Sequence, residues 1–277
     1  MLRQALKIAV FLGLLLPVLF IYLRELFNDK LKSRLDISNS TQAPIFGEIA
    51  HSDVNEALVM TRNSRKVISE QFRMIRTNLS YLIGNKEKPI ILITSTFSGE
   101  GKSFISINVG AVMALAGKRT VILEFDIRKP KILNGLNLPK AQGITNYLVG
   151  GDSLSSLVIP VPEVENLFVI PCGPIPPNPA EMLLESRLKD VFDFAKKEFD
   201  IIIVDTAPVG LVSDAQVLSR YADCTFYIVR LNYTLKKHVH FINDLYLNQK
   251  LPKIALLVND ISPSSDYYSY GNYNGYG

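Results

Sequence analysis

An α/β fold, with a mostly parallel sheet covered by helices on both faces, is what this sequence predicts, and three observations carry the prediction. From residue 89 onward, short apolar runs alternate with amphipathic stretches, the pattern of βαβ crossovers. A Gly-rich turn stands between the first of these runs and the helical stretch behind it. The chain has 277 residues, of which 48% are hydrophobic. That suffices for one α/β domain of roughly 200 residues with appendages.

Each element follows in order. From Ile8 to Leu23 the run "IAVFLGLLLPVLFIYL" carries no charge and predicts a membrane helix. It is slightly short for a ~30 Å hydrocarbon core, unless Lys7 snorkels and Leu2, Ala5 and Leu6 extend it. The larger basic cluster, Arg24, Lys30, Lys32 and Arg34, follows the run and places the C-terminal side in the cytoplasm. A polar stretch ending in Pro44 and Gly47 reads as a juxtamembrane linker. Val67, Ile68, Phe72, Ile75, Leu79 and Leu82 recur at helical spacing. Residues 89–95 read as a buried strand, and 102–117 as a helix closed by Gly117. Residues 120–126 and 166–173 read as strands. Residues 179–199 read as one amphipathic helix opened by Pro179. Strands at 200–208, 224–231 and 253–260 are separated by helices at 213–222 and 235–250. The end, "SSDYYSYGNYNGYG", has no apolar periodicity and predicts a disordered tail.

Composition gives no positive sign of nucleic-acid or metal binding. A net charge of +4 does not imply nucleic acid. Cys172 and Cys224 match no metal spacing, and Cys224 sits in an apolar run suited to a buried, reduced thiol.

Ligands of such sheets bind beyond the carboxyl ends of the strands. There, after the first strand, stands "TSTFSGEGKS". Its amides, at Ser98, Gly99, Glu100, Gly101, Lys102, Ser103 and Phe104, open a helix and can cradle phosphates. Lys102 would reach the β- and γ-phosphates, and Ser103 would ligate Mg²⁺. The strict phosphate-loop pattern asks for Gly at position 96, where this chain has Thr96. After the second strand, "EFDIRKP" sets Glu124 and Asp126 two apart, next to Arg128. Asp205 follows the apolar run "IIIV", as a Mg²⁺-organising carboxylate does.

These motifs, with "GITNYLVGG", "GPIPPNPAEMLLES" and the tyrosine-rich tail, make the chain resemble the bacterial tyrosine kinases of capsule and exopolysaccharide export. The resemblance runs from Ile8 to Gly277. It implies a P-loop NTPase-like fold holding Mg-ATP for transfer to tyrosine. Lys102 and Ser103 would bind phosphate and metal, and Asp126 and Asp205 would organise the metal. An acid of the Glu124/Asp126 pair would accept the tyrosine proton; the family pattern is Asp-x-Asp, so both remain candidates. Arg128 would orient acid or phosphate, and Asn259 would face the adenine. Tyr267, Tyr268, Tyr270, Tyr273 and Tyr276 would be phosphoacceptors. Glu70, Arg73 and Arg76, in "EQFRMIR", would join subunits of a ring, an octamer by family likeness. The implied partners are further copies of the chain, the polysaccharide polymerase and export machinery, a tyrosine phosphatase and the bacterial inner membrane. The expected division is a membrane helix with flanks at 1–27, a linker at 28–60, a kinase domain at 61–262 and a tail at 263–277. The family's single-chain form has an earlier membrane helix and an extracytoplasmic domain, which this sequence does not show. Two rivals share the fold: a partition or septum-type ATPase and a non-catalytic co-polymerase scaffold. The first carries a lysine where this chain has Phe97.

Overall fold

Why the first predicted strand carries four consecutive apolar residues, Ile90 to Ile93, becomes plain in the sheet. The computed structural model describes residues 28–262, apart from 53–55, 63, 65, 85, 152 and 185, together with residues 4, 11, 13–19, 22–23 and 26. Its strands are β1 (Ile45–Ala50), β2 (Ile90–Ser95), β3 (Thr120–Phe125), β4 (Ile159–Pro160), β5 (Leu167–Ile170), β6 (Ile201–Thr206), β7 (Cys224–Arg230) and β8 (Ile254–Ile261). They form one sheet in the order β1-β8-β7-β2-β6-β3-β5-β4. Every pairing is parallel except β4 with β5. Strand β2 lies inside the sheet, so both its faces are covered. Ile90 and Leu92 join the core on one side, and Ile91 and Ile93 the core on the other.

Between residues 28 and 262 the described α-helices are α1 (Arg34–Ser38), α2 (Val67–Ile83), α3 (Lys102–Ala114), α4 (Ile132–Gly135), α5 (Ile144–Leu148), α6 (Pro179–Met182), α7 (Leu188–Glu198), α8 (Asp214–Ser219) and α9 (Lys236–Leu247). Helix α2 buries Ile68, Phe72, Ile75 and Leu79, the stripe its spacing predicts. With α3 it covers one face of the sheet. Helices α7, α8 and α9 cover the other.

Two expectations change. The predicted helix 179–199 is two helices, α6 and α7, separated by turns. The stretch read as a linker supplies α1, capped by Ser33 with Asp36 reaching back, and edge strand β1. Leu31 and Ile37 are fully buried there. Leu31 donates its N–H to the Thr234 carbonyl at 2.8 Å and accepts from Asn232 N–H at 2.7 Å.

The predicted membrane helix Ile8–Leu23 lies partly outside the described residues, and among those residues no helix is long and apolar enough to cross a membrane. Phe11, Leu14, Leu16, Val18 and Tyr22 are exposed. The tail, with all five predicted phosphoacceptors, lies outside the described residues.

Candidate active site

Strands β2, β6 and β3 lie side by side and end together. Ile93 and Glu124 both pair with Asp205 in register. The side chains at those ends therefore converge, although their positions in sequence are far apart. Beyond β2 the chain turns through Gly99 and Gly101, with φ of 95° and 104°, values that glycine adopts freely. Helix α3 begins at Lys102. A helix leaves its first amides without intrahelical acceptors. Among the described hydrogen bonds, none uses a backbone N–H from Ser98 to Phe104. This row of donors suits an anion. Thr96, where the strict pattern has glycine, does not need a positive φ; its hydroxyl meets the Tyr227 hydroxyl at 2.9 Å.

Lys102 is 6% exposed, and its Nζ donates to Ser95 Oγ at 3.3 Å. Burial pulls its pKa down, while the nearby Asp205, Asp126 and Glu100 oppose that shift. Asp205 is fully buried. Its carboxylate accepts from Ser103 Oγ at 2.9 Å and from Ser106 Oγ at 2.8 Å. Burial raises its pKa to about 7, against the pull of Lys102 and both hydroxyls. Ser103 and Asp205 thus touch, as two oxygen ligands of one hard cation must be able to do. Ser106, one helical turn further on, is invisible as a motif residue.

The second-strand acids differ sharply. Glu124 is 1% exposed. Its Oε1 accepts from Lys131 N–H and Ile132 N–H, both at 2.6 Å, and its Oε2 from Cys172 N–H at 3.1 Å. Burial raises its pKa against those bonds. It ties the loop after β3 to the end of β5. Asp126 stands one residue beyond β3, and among the described residues its Oδ1 accepts from Lys129 N–H at 3.1 Å. Arg128 is turned to the buried Asp214 of α8, with Nε to Oδ2 at 3.1 Å. Asn259 is 8% exposed and donates to the Glu100 carbonyl at 3.0 Å. It lines a small cleft with Gly101, Phe104, Arg230 and His51. A larger cleft of 690 Å³ opens beside Glu124, between Lys129, Pro130, Lys140, Pro174 and Ile175. Glu70 and Arg73 of α2 pair with each other, and Arg73 also donates to the Ser64 carbonyl at 2.8 Å. Neither contact reaches the phosphate loop.

A parallel sheet, a glycine turn of free amides and a buried Lys–Ser–Asp cluster define a P-loop nucleotide-binding protein. Residues 91–270 match the family model described as the CobQ/CobB/MinD/ParA nucleotide binding domain. Over 222 residues the chain is 31% identical to the tyrosine-protein kinase YwqD of Bacillus subtilis, covering 79% of this chain and 93% of that protein. Over 277 residues it is 30% identical to the tyrosine-protein kinase ptk of Acinetobacter johnsonii, spanning only 38% of that relative's length. The crystal structure of the chimerical protein CapA2B2 superposes with a TM-score of 0.75 at 29% identity, covering 83% of this chain and all of that one. The chain belongs to the tyrosine-protein kinases of capsule and exopolysaccharide biosynthesis.

Proposed function

We propose that this chain is an ATP-dependent protein-tyrosine autokinase that phosphorylates its own C-terminal tyrosine cluster between chains, in the service of polysaccharide polymerisation and export. The contact of Ser103 with the buried Asp205, beneath a row of unpaired amides, carries the reading. The amides from Ser98 to Phe104 and the Lys102 ammonium would hold the phosphates of ATP. Ser103, Asp205 and Asp126 would hold Mg²⁺. Bound Mg-ATP would supply the phosphoryl group and the cation that offsets its charge. Asp126, whose carboxylate accepts fewer amides than that of Glu124, would take the proton of the incoming tyrosine hydroxyl as the tyrosine oxygen bonds to phosphorus and ADP departs. Glu124 is poorly suited to that task, because its oxygens already accept three amides. The cleft beside it offers room for the acceptor segment. Arg128, held by Asp214, would steady the loop that carries Asp126.

Two further parts of the reading rest on exposed surface. The apolar run Ile8–Leu23 would anchor the chain in the bacterial inner membrane with the kinase domain in the cytoplasm; its exposed Leu14, Leu16 and Val18 support that role. Glu70, Arg73 and Arg76 would contact a neighbouring copy in a ring. The direct test mixes a Lys102→Met protein bearing an intact tail with an active protein truncated after Pro263. Phosphotyrosine on the inactive partner, dependent on Mg-ATP, is the expected result. Labelling confined to isolated monomers would overturn transfer between chains, and no labelling of the intact active chain would overturn the kinase reading.

A further inference from the structure

A carboxylate buried inside a loop built for phosphates is an electrostatic oddity. Glu100 is fully buried between Gly99 and Gly101. Its Oε2 accepts from Phe97 N–H at 2.7 Å, and its Oε1 accepts from the Thr234 hydroxyl. Thr234 belongs to the turn after β7, and its Oγ1 also accepts from Arg230 N–H at 2.9 Å. The same turn and the end of β7 each supply one more donor to the loop. Tyr233 Oη donates to the Ser98 carbonyl at 2.8 Å, and Arg230 Nη1 to the Gly99 carbonyl at 2.9 Å. Asn259, at the end of β8, donates to the Glu100 carbonyl. Three consecutive loop carbonyls are thus each held by a side chain from outside the loop.

A peptide unit is planar, and its C=O and N–H point in opposite directions. Fixing the carbonyls of Ser98, Gly99 and Glu100 on one side therefore aims the N–H groups of Gly99, Glu100 and Gly101 to the other. The glycines fit the same account. A Cβ at Gly99 would lie 2.5 Å from Tyr233 Oη, and one at Gly101 would lie 2.2 Å from Asn259 Nδ2. The loop is glycine-rich on this side because the bracing groups press against its backbone.

We propose that Tyr233, Thr234 and Arg230, with Glu100 as their anchor, are positioning residues that brace the peptide planes of the phosphate loop before nucleotide arrives. The inference rests on the nucleotide-binding reading of that loop. The brace lowers the reorganisation needed on binding, so its loss shows mainly as weaker ground-state affinity. It also shows in the nucleotide-free protein, as freer exchange of the loop amides.

The full chain is compared with Tyr233→Phe, Thr234→Val and Thr234→Ser. Tyr233 is 43% exposed, so removing its hydroxyl spares the core. The readouts are Mg-ADP affinity by titration, hydrogen exchange of residues 97–103 without nucleotide, and KM for ATP against kcat. Tyr233→Phe is expected to weaken Mg-ADP binding about fivefold, and Thr234→Val about tenfold or more, because it takes a hydroxyl donor from the buried Glu100 carboxylate. Both should speed loop exchange and raise KM more than they lower kcat, and Thr234→Ser should restore all three. Parent-like affinity and parent-like loop exchange in both folded variants would overturn the brace while leaving the site intact. A parent chain that binds no Mg-nucleotide would overturn the brace and the nucleotide site together.

Discussion

The proposed metal-holding role asks Asp205 to be charged where burial disfavours the charge. Its carboxyl rises from 3.8 to about 7 because burial penalises the anion. A raised carboxyl pKa means that the folded chain binds more protons than the unfolded chain between those values. Stability of the nucleotide-free protein should therefore fall as pH climbs from about 4 to about 7, and stay lower above that. Asp205→Asn should remove the cost. We expect it to abolish phosphotyrosine formation by a hundredfold or more. We also expect it to raise the stability of the nucleotide-free fold at pH 8 by about 1–2 kcal/mol, and by less than half of that at pH 5. Thermal melts at both pH values check this; an equal gain at the two would remove the buried charge as its cause. The neighbouring acids should separate as well. Glu124→Gln places an NH₂ group among backbone donors and should cost about 1–3 kcal/mol of stability. Asp126→Asn should leave the melting temperature nearly unchanged and still stop tyrosine phosphorylation. An Asp126→Asn protein that labels at the parent rate would return the base to Glu124.

Helix α2 shows how a single element can be legible on one face and silent on the other. Its buried stripe was readable from spacing alone. The purpose of Glu70, Arg73 and Arg76 was not, because charges on a solvated face look alike whatever they touch. Changing all three to Ala should shift the protein toward monomer in sedimentation, with a stability change of about 1 kcal/mol or less, since Glu70 is exposed and Arg73 only half-buried. An unchanged assembly state would end the interface assignment. The strand-end cluster was legible for a related reason: Lys102, Ser103, Asp126 and Asp205 follow closely on strands that apolar runs announce. Strand β1 was not. "IFGEIA" is short, half polar and surrounded by polar residues, so only its partner β8 makes it a strand. The brace was equally hidden. Arg230, Tyr233 and Thr234 are far from the loop in sequence, and no local spacing connects them to it. Asp214, which holds Arg128, sits at the start of α8 like an ordinary acidic residue of a helix's first turn.

At the scale of the molecule, β8 would be an exposed edge if residues 45–50 were missing. Leu31, Ile37 and Ile49 are fully buried, and burying each such side chain contributes about 1.5–3 kcal/mol. A chain lacking residues 1–50 would therefore lose on the order of 5 kcal/mol, much of the 5–15 kcal/mol typical of a whole domain. Its bare edge should also promote aggregation. Light scattering on heating should separate it from a chain lacking only residues 1–27, which keeps these elements and should melt like the parent; indistinguishable behaviour would make β1 dispensable. The same pairing sets a timetable for synthesis. Ile45 leaves the ribosome long before Leu256, its partner in the sheet. At about 5–20 residues per second, β1 must wait roughly 10–40 s for the strand it joins. During that wait the nascent chain would carry its future edge strand as a loose end beside an apolar amino-terminal run.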